Sequence, residues 1–178
     1  MNMQRQIIVI IDPQNDFTNV EGCYAKKHSG ITQILKAKEN INTLLNFQTN
    51  DKCVIIRSDY KVDQFEKGLA ICIPNTFGHE IDITYNNTLN IFSKTEHSCF
   101  TSESFKQHLR NNEIETLILC GFLAEYCVRQ TALDALIFGY KVCLVENCIG
   151  TGDDVQNRKR EMLLELKEKG VVTIKAYC

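Results

Sequence analysis

The sequence lacks several features that would place it in a specialised class of protein. It has no apolar run near the roughly 20 residues that a transmembrane helix needs. Its formal net charge of −2 gives no electrostatic reason to expect nucleic acid or an anionic membrane surface as a partner. No apolar leader with a cleavage site precedes the first strand-like run, so we expect a cytoplasmic protein. A single domain over residues 1–178 is the simplest expectation.

Paired cysteine motifs are also missing, although the sequence contains nine cysteines. No CxxC spacing indicates a zinc site or a redox dithiol. Scattered cysteines in a cytoplasmic protein are expected to be reduced. Cys53, Cys120 and Cys143 fall within apolar runs, where a thiol usually packs as a small hydrophobic group. Cys127 differs, because it lies where an apolar run gives way to a helical pattern.

Short apolar runs alternate with helix-like stretches along the chain. The spacing predicts strands at residues 6–11, 53–58, 89–92, 116–120, 141–145 and 171–174, and helices at residues 31–46, 102–111, 125–138 and 153–169. This alternation predicts a parallel sheet with helices on both faces. We therefore expect an α/β fold, a three-layer α/β/α Rossmann-like domain with a six-stranded, mainly parallel sheet.

Three chemically complementary residues close strands of this sheet. Asp12 ends the first run, Lys94 ends the third, and Cys127 follows the fourth. Because the carboxyl ends of parallel strands share one edge, where open α/β folds bind ligands, we expect these residues to meet there. Lys94 and a helix N-terminus would both favour a thiolate at Cys127. Residues 59–87 show little periodicity, and we expect this long loop to cover the substrate.

A cysteine–histidine pair is the other common arrangement for a nucleophilic thiol. The chain offers His28, His79, His97 and His108, and none of them ends a core strand. His79 and His97 lie in loops that could line a pocket. The sequence therefore favours Asp12 over histidine as the proton acceptor.

Three blocks of sequence resemble the isochorismatase-like cysteine hydrolase superfamily, which includes nicotinamidases, N-carbamoylsarcosine amidohydrolases, ureidoacrylate hydrolases and isochorismatases. IIDPQNDF is similar to the opening motif, which makes Asp12 the acid/base. SKTEHSCF is similar to the lysine block and GFLAEYCVRQTALDALIFGYKV to the nucleophile block, which makes Lys94 the electrostatic support and Cys127 the nucleophile. The resemblance implies a homo-oligomeric hydrolase, a dimer or tetramer, that acts on a small molecule without a cofactor.

The resemblance also implies finer features of the site. A non-proline cis peptide would fall between Phe122 and Leu123. The backbone N–H groups of Leu123 and Cys127 would form the oxyanion hole. Substrate-binding positions would fall on aromatic residues of the three blocks, namely Phe17, Phe100 and Phe122.

The sequence departs from nicotinamidases at their metal motif, Asp-x-His-x-x-x-His. Asp59 is present, but Lys61 and Phe65 occupy the histidine positions, and neither a charged ammonium nor a phenyl ring can bind a metal. We therefore expect no metal, and retention of Cys127 points to hydrolysis of an amide, carbamoyl or ureido group through a thioester. A vinyl ether hydrolase and a non-catalytic or redox-sensing protein are the alternatives.

Overall fold

Six parallel strands form the central sheet of the computed structural model, which describes residues 5–177. The strands are β1 (Gln6–Ile11), β2 (Cys53–Ser58), β3 (Asn90–Lys94), β4 (Thr116–Phe122), β5 (Lys141–Gly150) and β6 (Val172–Ile174). They lie in the order β3-β2-β1-β4-β5-β6. The order reverses between β1 and β4, the position where doubly wound folds bind ligands at the carboxyl edge.

Helices cover both faces of the sheet. In the described part of the chain these are α1 (Asn15–Thr18), α2 (Thr32–Asn46), α3 (Glu103–Asn111), α4 (Arg129–Ile137) and α5 (Gln156–Glu168). Because side chains alternate along a strand, β1 directs Ile8 and Ile10 into one core and Val9 and Ile11 into another. The first core contains the apolar face of α2, and the second contains those of α3, α4 and α5. The predicted three-layer α/β fold is confirmed.

The structure differs from the predicted boundaries mainly around the nucleophile block. β4 continues to Phe122, and β5 continues to Gly150 after an irregularity in its pairing with β4. The predicted helix at 125–138 is divided into a π-helical turn, Ala124–Val128, and α4. Apolar periodicity does not distinguish a π turn from the first turn of an α-helix, so this division could not be predicted.

Two structural findings concern points that the composition raised, namely membrane-spanning helices and the pairing of cysteines. Within residues 5–177, no helix combines the length and the apolar character that crossing a membrane requires. The eight cysteines of this part of the chain are all free thiols, and Cys178 lies outside the described residues.

Candidate active site

The structure brings Asp12, Lys94 and Cys127 together at the carboxyl edge of the sheet. Asp12 follows β1, Lys94 is the last residue of β3, and Cys127 lies in the π turn after β4. Their exposed fractions are 0%, 1% and 3%. Lys94 Nζ lies 3.0 Å from Asp12 Oδ2 and 3.4 Å from Cys127 Sγ. The three residues therefore form one buried polar cluster.

The backbone at the end of β1 positions Asp12. Its φ of 53° lies in the left-handed region, which Asp tolerates better than most residues, and its N–H donates to Ile56 O over 2.8 Å. On the neighbouring strand, Gly121 has a φ of 117°, and a Cβ there would lie 2.1 Å from Ile11 O. Only glycine allows β4 to approach β1 this closely. The nucleophile block therefore begins beside Asp12.

Lys94 is the centre of the hydrogen-bond network. Its ammonium donates to Ser58 Oγ at 2.7 Å, and Ser58 in turn donates to Asp12 Oδ1 at 2.9 Å. Burial favours the neutral amine, but the negative charge of Asp12 opposes it and holds the pKa of Lys94 well above its usual value. A buried ammonium requires such a paired and hydrogen-bonded environment. Lys94 therefore remains the cation of a buried ion pair.

The thiol of Cys127 is held in its neutral form, which corrects the expectation that its position favours the thiolate. Burial raises the pKa of Cys127 to about 12, and Asp12 adds to this effect. Lys94 lowers the same pKa, as predicted, but it does not outweigh the loss of solvent. The resting site therefore holds a neutral thiol 3.4 Å from the ammonium of the buried ion pair.

Polar side chains of the opening motif hold the long loop after β2. Gln14 Nε2 donates to Ser58 O at 3.0 Å and to His79 O at 2.9 Å. Asp16 Oδ2 accepts from Cys72 N at 2.6 Å. Both side chains are buried, at 0% and 8% exposure. The motif therefore places Asp12 at the site and also anchors the loop that lines it.

A cavity of about 430 Å³ opens beside Cys127. The loop between β2 and β3 contributes five of its lining residues, Tyr60, Phe65, Glu66, Leu69 and Ile71. Charged or polar groups on other elements complete it, namely Lys27, His28 and Arg158. The position of this loop agrees with its predicted role in covering the substrate.

Aromatic rings form the wall of the cavity next to Cys127. The Phe65 ring stacks on His97 with centroids 4.5 Å apart and an interplanar angle of 10°. Tyr60 meets Phe65 edge-on at 4.8 Å, and Tyr126 lies 5.5 Å from His97. Phe17 also lines the cavity, as its predicted role requires. The wall is mostly apolar.

Leu123 lines the cavity beside Cys127, and the Phe122–Leu123 peptide is cis, as the resemblance implied. Phe100 and Phe122, which we expected to bind substrate, do not line it. Phe100 is a core residue that stacks on Phe138 at 4.9 Å. Phe122 is fully buried, and its alternation along β4 directs it into the core on the α2 side. Both therefore support the site from within the core.

Two residues near the sulfur were not assigned a role from the sequence. Tyr60 OH lies 3.5 Å from Cys127 Sγ, and His97 Nδ1 lies 3.8 Å from it. Burial and the charge of Lys94 lower the pKa of His97, which favours the neutral imidazole. Tyr60 is the second residue after β2, at the same sheet edge as Asp12 and Lys94. The rule that ligands bind at the carboxyl edge of a parallel sheet could therefore have identified Tyr60 as a residue of the site.

The residues at the metal-motif positions do not fit a divalent metal. Asp59 Oδ1 is 2.6 Å from His79 Nε2 and 3.5 Å from Arg57 Nε, so its carboxylate is already paired. Phe65 contributes only an aromatic ring, which packs on His97. Across residues 5–177, no group of three or more His, Cys, Asp or Glu side chains has an arrangement that could hold a metal ion.

Comparison with known proteins identifies the family of the chain. The isochorismatase domain model matches residues 6–176. The chain is 28% identical over 147 residues to isochorismatase family protein 2A of Dictyostelium discoideum. The aligned region covers 79% of this chain and 71% of that protein. The chain is 25% identical over 162 residues to an uncharacterized isochorismatase family protein of Bacillus subtilis, with coverages of 83% and 87%.

A solved structure shows the same fold. The pyrazinamidase of Pyrococcus horikoshii, determined in complex with zinc, superposes with a TM-score of 0.81 at 23% identity, covering 97% of this chain and 99% of that one. The match of the domain model over nearly the whole sequence establishes the relationship. The chain belongs to the isochorismatase family.

Proposed function

We propose that the protein is a cysteine hydrolase that cleaves a C–N bond in an amide, carbamoyl or ureido group of a small molecule. The proposal rests on the finding that Asp12, Lys94 and Cys127 lie together beside one largely apolar cavity. Cys127 lines that cavity, whereas Asp12 and Lys94 are buried behind it. A substrate therefore reaches the sulfur first, and the ion pair lies directly behind it.

The first half of the reaction forms a thioester. Asp12 accepts the thiol proton as the sulfur attacks the carbonyl carbon, so that charge develops on the carbonyl oxygen. The backbone N–H groups of Leu123 and Cys127 donate to that oxygen in the proposed oxyanion hole. Asp12 then gives its proton to the leaving nitrogen, which departs as a neutral amine. Lys94 remains protonated throughout and offsets the charge on the carboxylate or the sulfur.

The second half of the reaction releases the acid. Asp12 accepts a proton from a water molecule while the oxygen of that water attacks the carbonyl carbon of the thioester. The tetrahedral intermediate collapses, the C–S bond breaks, and the sulfur recovers the proton from Asp12. The resting pair of neutral thiol and ionised carboxylate is restored, in agreement with the raised pKa of Cys127.

The alternatives explain this arrangement less well. A vinyl ether hydrolase of the isochorismatase type needs no nucleophile, yet Cys127 contacts Asp12, Lys94 and the cavity. A redox sensor needs an accessible thiolate, whereas burial raises the pKa of Cys127 to about 12. A neutral thiol beside a carboxylate acceptor favours acyl transfer.

The intermediate itself provides the test of this function. We expect brief incubation with a panel of small amides, N-carbamoyl and ureido compounds, followed by acid quenching and digestion, to add one acyl group to the Cys127 peptide. The half-buried Cys143, which lies on β5 outside the cavity lining, serves as the internal control and should stay unmodified. Turnover without acylation of Cys127 under these conditions would contradict the thioester mechanism.

Metal removal should leave the activity unchanged, because the side chains of Asp59, Lys61 and Phe65 do not form a set of ligands for a metal ion. We expect dialysis against EDTA or 1,10-phenanthroline to preserve both the hydrolysis rate and the alkylation rate of Cys127. Elemental analysis of the purified protein supplies the second measurement. A full equivalent of zinc or iron that leaves together with the activity would show that this interpretation of the three positions is wrong.

A further inference from the structure

The hydroxyl group of Tyr60 lies between the ammonium and the nucleophile. Its oxygen is 2.8 Å from Lys94 Nζ and 3.5 Å from Cys127 Sγ. The residue is 3% exposed, yet it also lines the cavity. Asp12 and Lys94 contact the same sulfur but do not line the cavity. Tyr60 thus touches both the ion pair and the space available to a substrate.

The direction of these hydrogen bonds follows from the donors present. Lys94 can only donate, so the Tyr60 oxygen accepts from it and keeps its own hydrogen for another partner. Two acceptors are within reach, Cys127 Sγ at 3.5 Å and Glu96 O at 3.4 Å. Glu96 O already accepts from Lys94 at 2.9 Å. The sulfur is therefore the favoured acceptor as soon as it carries negative charge.

The phenol is held in position and keeps its proton. Tyr60 N donates to Cys72 O at 3.2 Å, and Phe65 packs edge-on against the ring at 4.8 Å. Burial raises the pKa of Tyr60 far above that of an exposed tyrosine, with further contributions from Cys127 and Asp12. Its hydroxyl therefore acts as a hydrogen-bond donor and does not exchange a proton with the substrate.

We propose that Tyr60 is a catalytic residue of this centre, whose hydroxyl, polarised by Lys94, donates a hydrogen bond to Cys127 Sγ when the thiol proton moves to Asp12. The inference rests on the proposed function and adds a residue to it. The same bond stabilises the sulfur a second time, when the C–S bond of the thioester breaks. No proton is transferred from Tyr60 in either step.

Alkylation of Cys127 by iodoacetamide tests this role without knowledge of the substrate. The rate is measured over a pH series as the mass shift of the Cys127 peptide in the wild-type protein and in Tyr60→Phe. Loss of one hydrogen bond to a charged acceptor should slow the reaction about tenfold. This corresponds to a rise of about one unit in the pKa of Cys127, and the alkylation rate should therefore be about tenfold lower at every pH of the series below that pKa. Asp12, Lys94, His97, Cys72 and Cys99 are the other titratable groups around the sulfur, and the substitution leaves all of them in place.

Tyr140→Phe is the matched control. Tyr140 packs against Phe100 with centroids 5.8 Å apart, in the other core and outside the cavity lining. Its alkylation profile should equal that of the wild-type protein. Circular dichroism and thermal melting establish that both variants are folded. Should Tyr60→Phe fail to fold, 3-fluorotyrosine at position 60 keeps the hydroxyl, makes it a stronger donor, and should shift the alkylation rate at each pH upward.

The outcomes separate the two proposals. A wild-type profile in folded Tyr60→Phe, or no shift with 3-fluorotyrosine, overturns the role of Tyr60 and leaves Cys127 as the nucleophile. Turnover of an amide without acylation of Cys127 in the wild-type protein overturns the proposed function and the role of Tyr60 with it. Slower alkylation confined to Tyr60→Phe supports both.

Discussion

Cys127→Ser is expected to reduce kcat/KM for the amide substrate by about 10⁴-fold or more, the range seen when a nucleophile of this kind is removed. The serine hydroxyl is far less acidic than a thiol, and the proposed base, a carboxylate, is too weak to activate it efficiently. Cys127→Ala should give the same loss, because it removes the attacking atom altogether. The measurement is the steady-state rate on any amide that acylates the wild-type protein.

The control for this substitution is Cys143→Ser, which changes a half-buried thiol on β5 away from the cavity. Its activity should remain within about twofold of the wild-type value, as is usual for a substitution without contact to the site. Activity of Cys127→Ser within tenfold of the wild-type value would contradict a thioester and would favour a reaction that needs no nucleophile, such as vinyl ether hydrolysis.

Asp12→Asn should lose both turnover and stability. The amide cannot accept the thiol proton, so we expect kcat to fall by about 10³-fold or more, since the whole acid/base cycle depends on this group. The ammonium of Lys94, 3.0 Å away and fully buried, is left without its counter-charge. Removing one partner of such a pair costs about 3–5 kcal/mol of unfolding free energy. Urea titration measures this loss.

Two further variants separate the chemical effect from the structural one. Asp82→Asn breaks the partly exposed pair of Asp82 with Lys38, at 2.9 Å, and should cost at most about 1 kcal/mol without loss of activity. Asp12→Asn combined with Lys94→Met removes both buried charges, so most of the stability should return while turnover stays lost. Recovery of turnover in the double variant would contradict the role of Asp12 as acid/base.

The sequence was sufficient to predict the architecture and the three central residues for one physical reason. Buried parallel strands are continuous apolar runs, and each such run directs its last residue to the same edge. Asp12, Lys94 and Cys127 could therefore be placed together without knowledge of the loops between them. The exact lengths of β4 and β5 were not predictable, since the pairing irregularity between Leu119 and Gly121 has no signature in local hydrophobicity.

Most of the site features that the sequence did not predict depend on which side chains are buried in the folded chain. The helix-terminus argument favours a thiolate at Cys127, but complete removal of solvent outweighs it, and only the folded chain shows how complete that removal is. Phe100 and Phe122 belong to the functional blocks, yet their side chains face the core. Tyr60 lies in a loop without periodicity, and its importance depends on a single hydroxyl group 2.8 Å from Lys94.

The stack of Phe65 on His97 limits how finely this enzyme can choose among substrates. A metal ion would recognise one heteroatom at one distance, whereas an apolar aromatic wall recognises mainly size and shape. An apolar wall discriminates a single methylene group by only about 10–200-fold. We therefore expect a graded series of accepted acyl groups, in which the rate follows the fit of the acyl group to the ring surfaces.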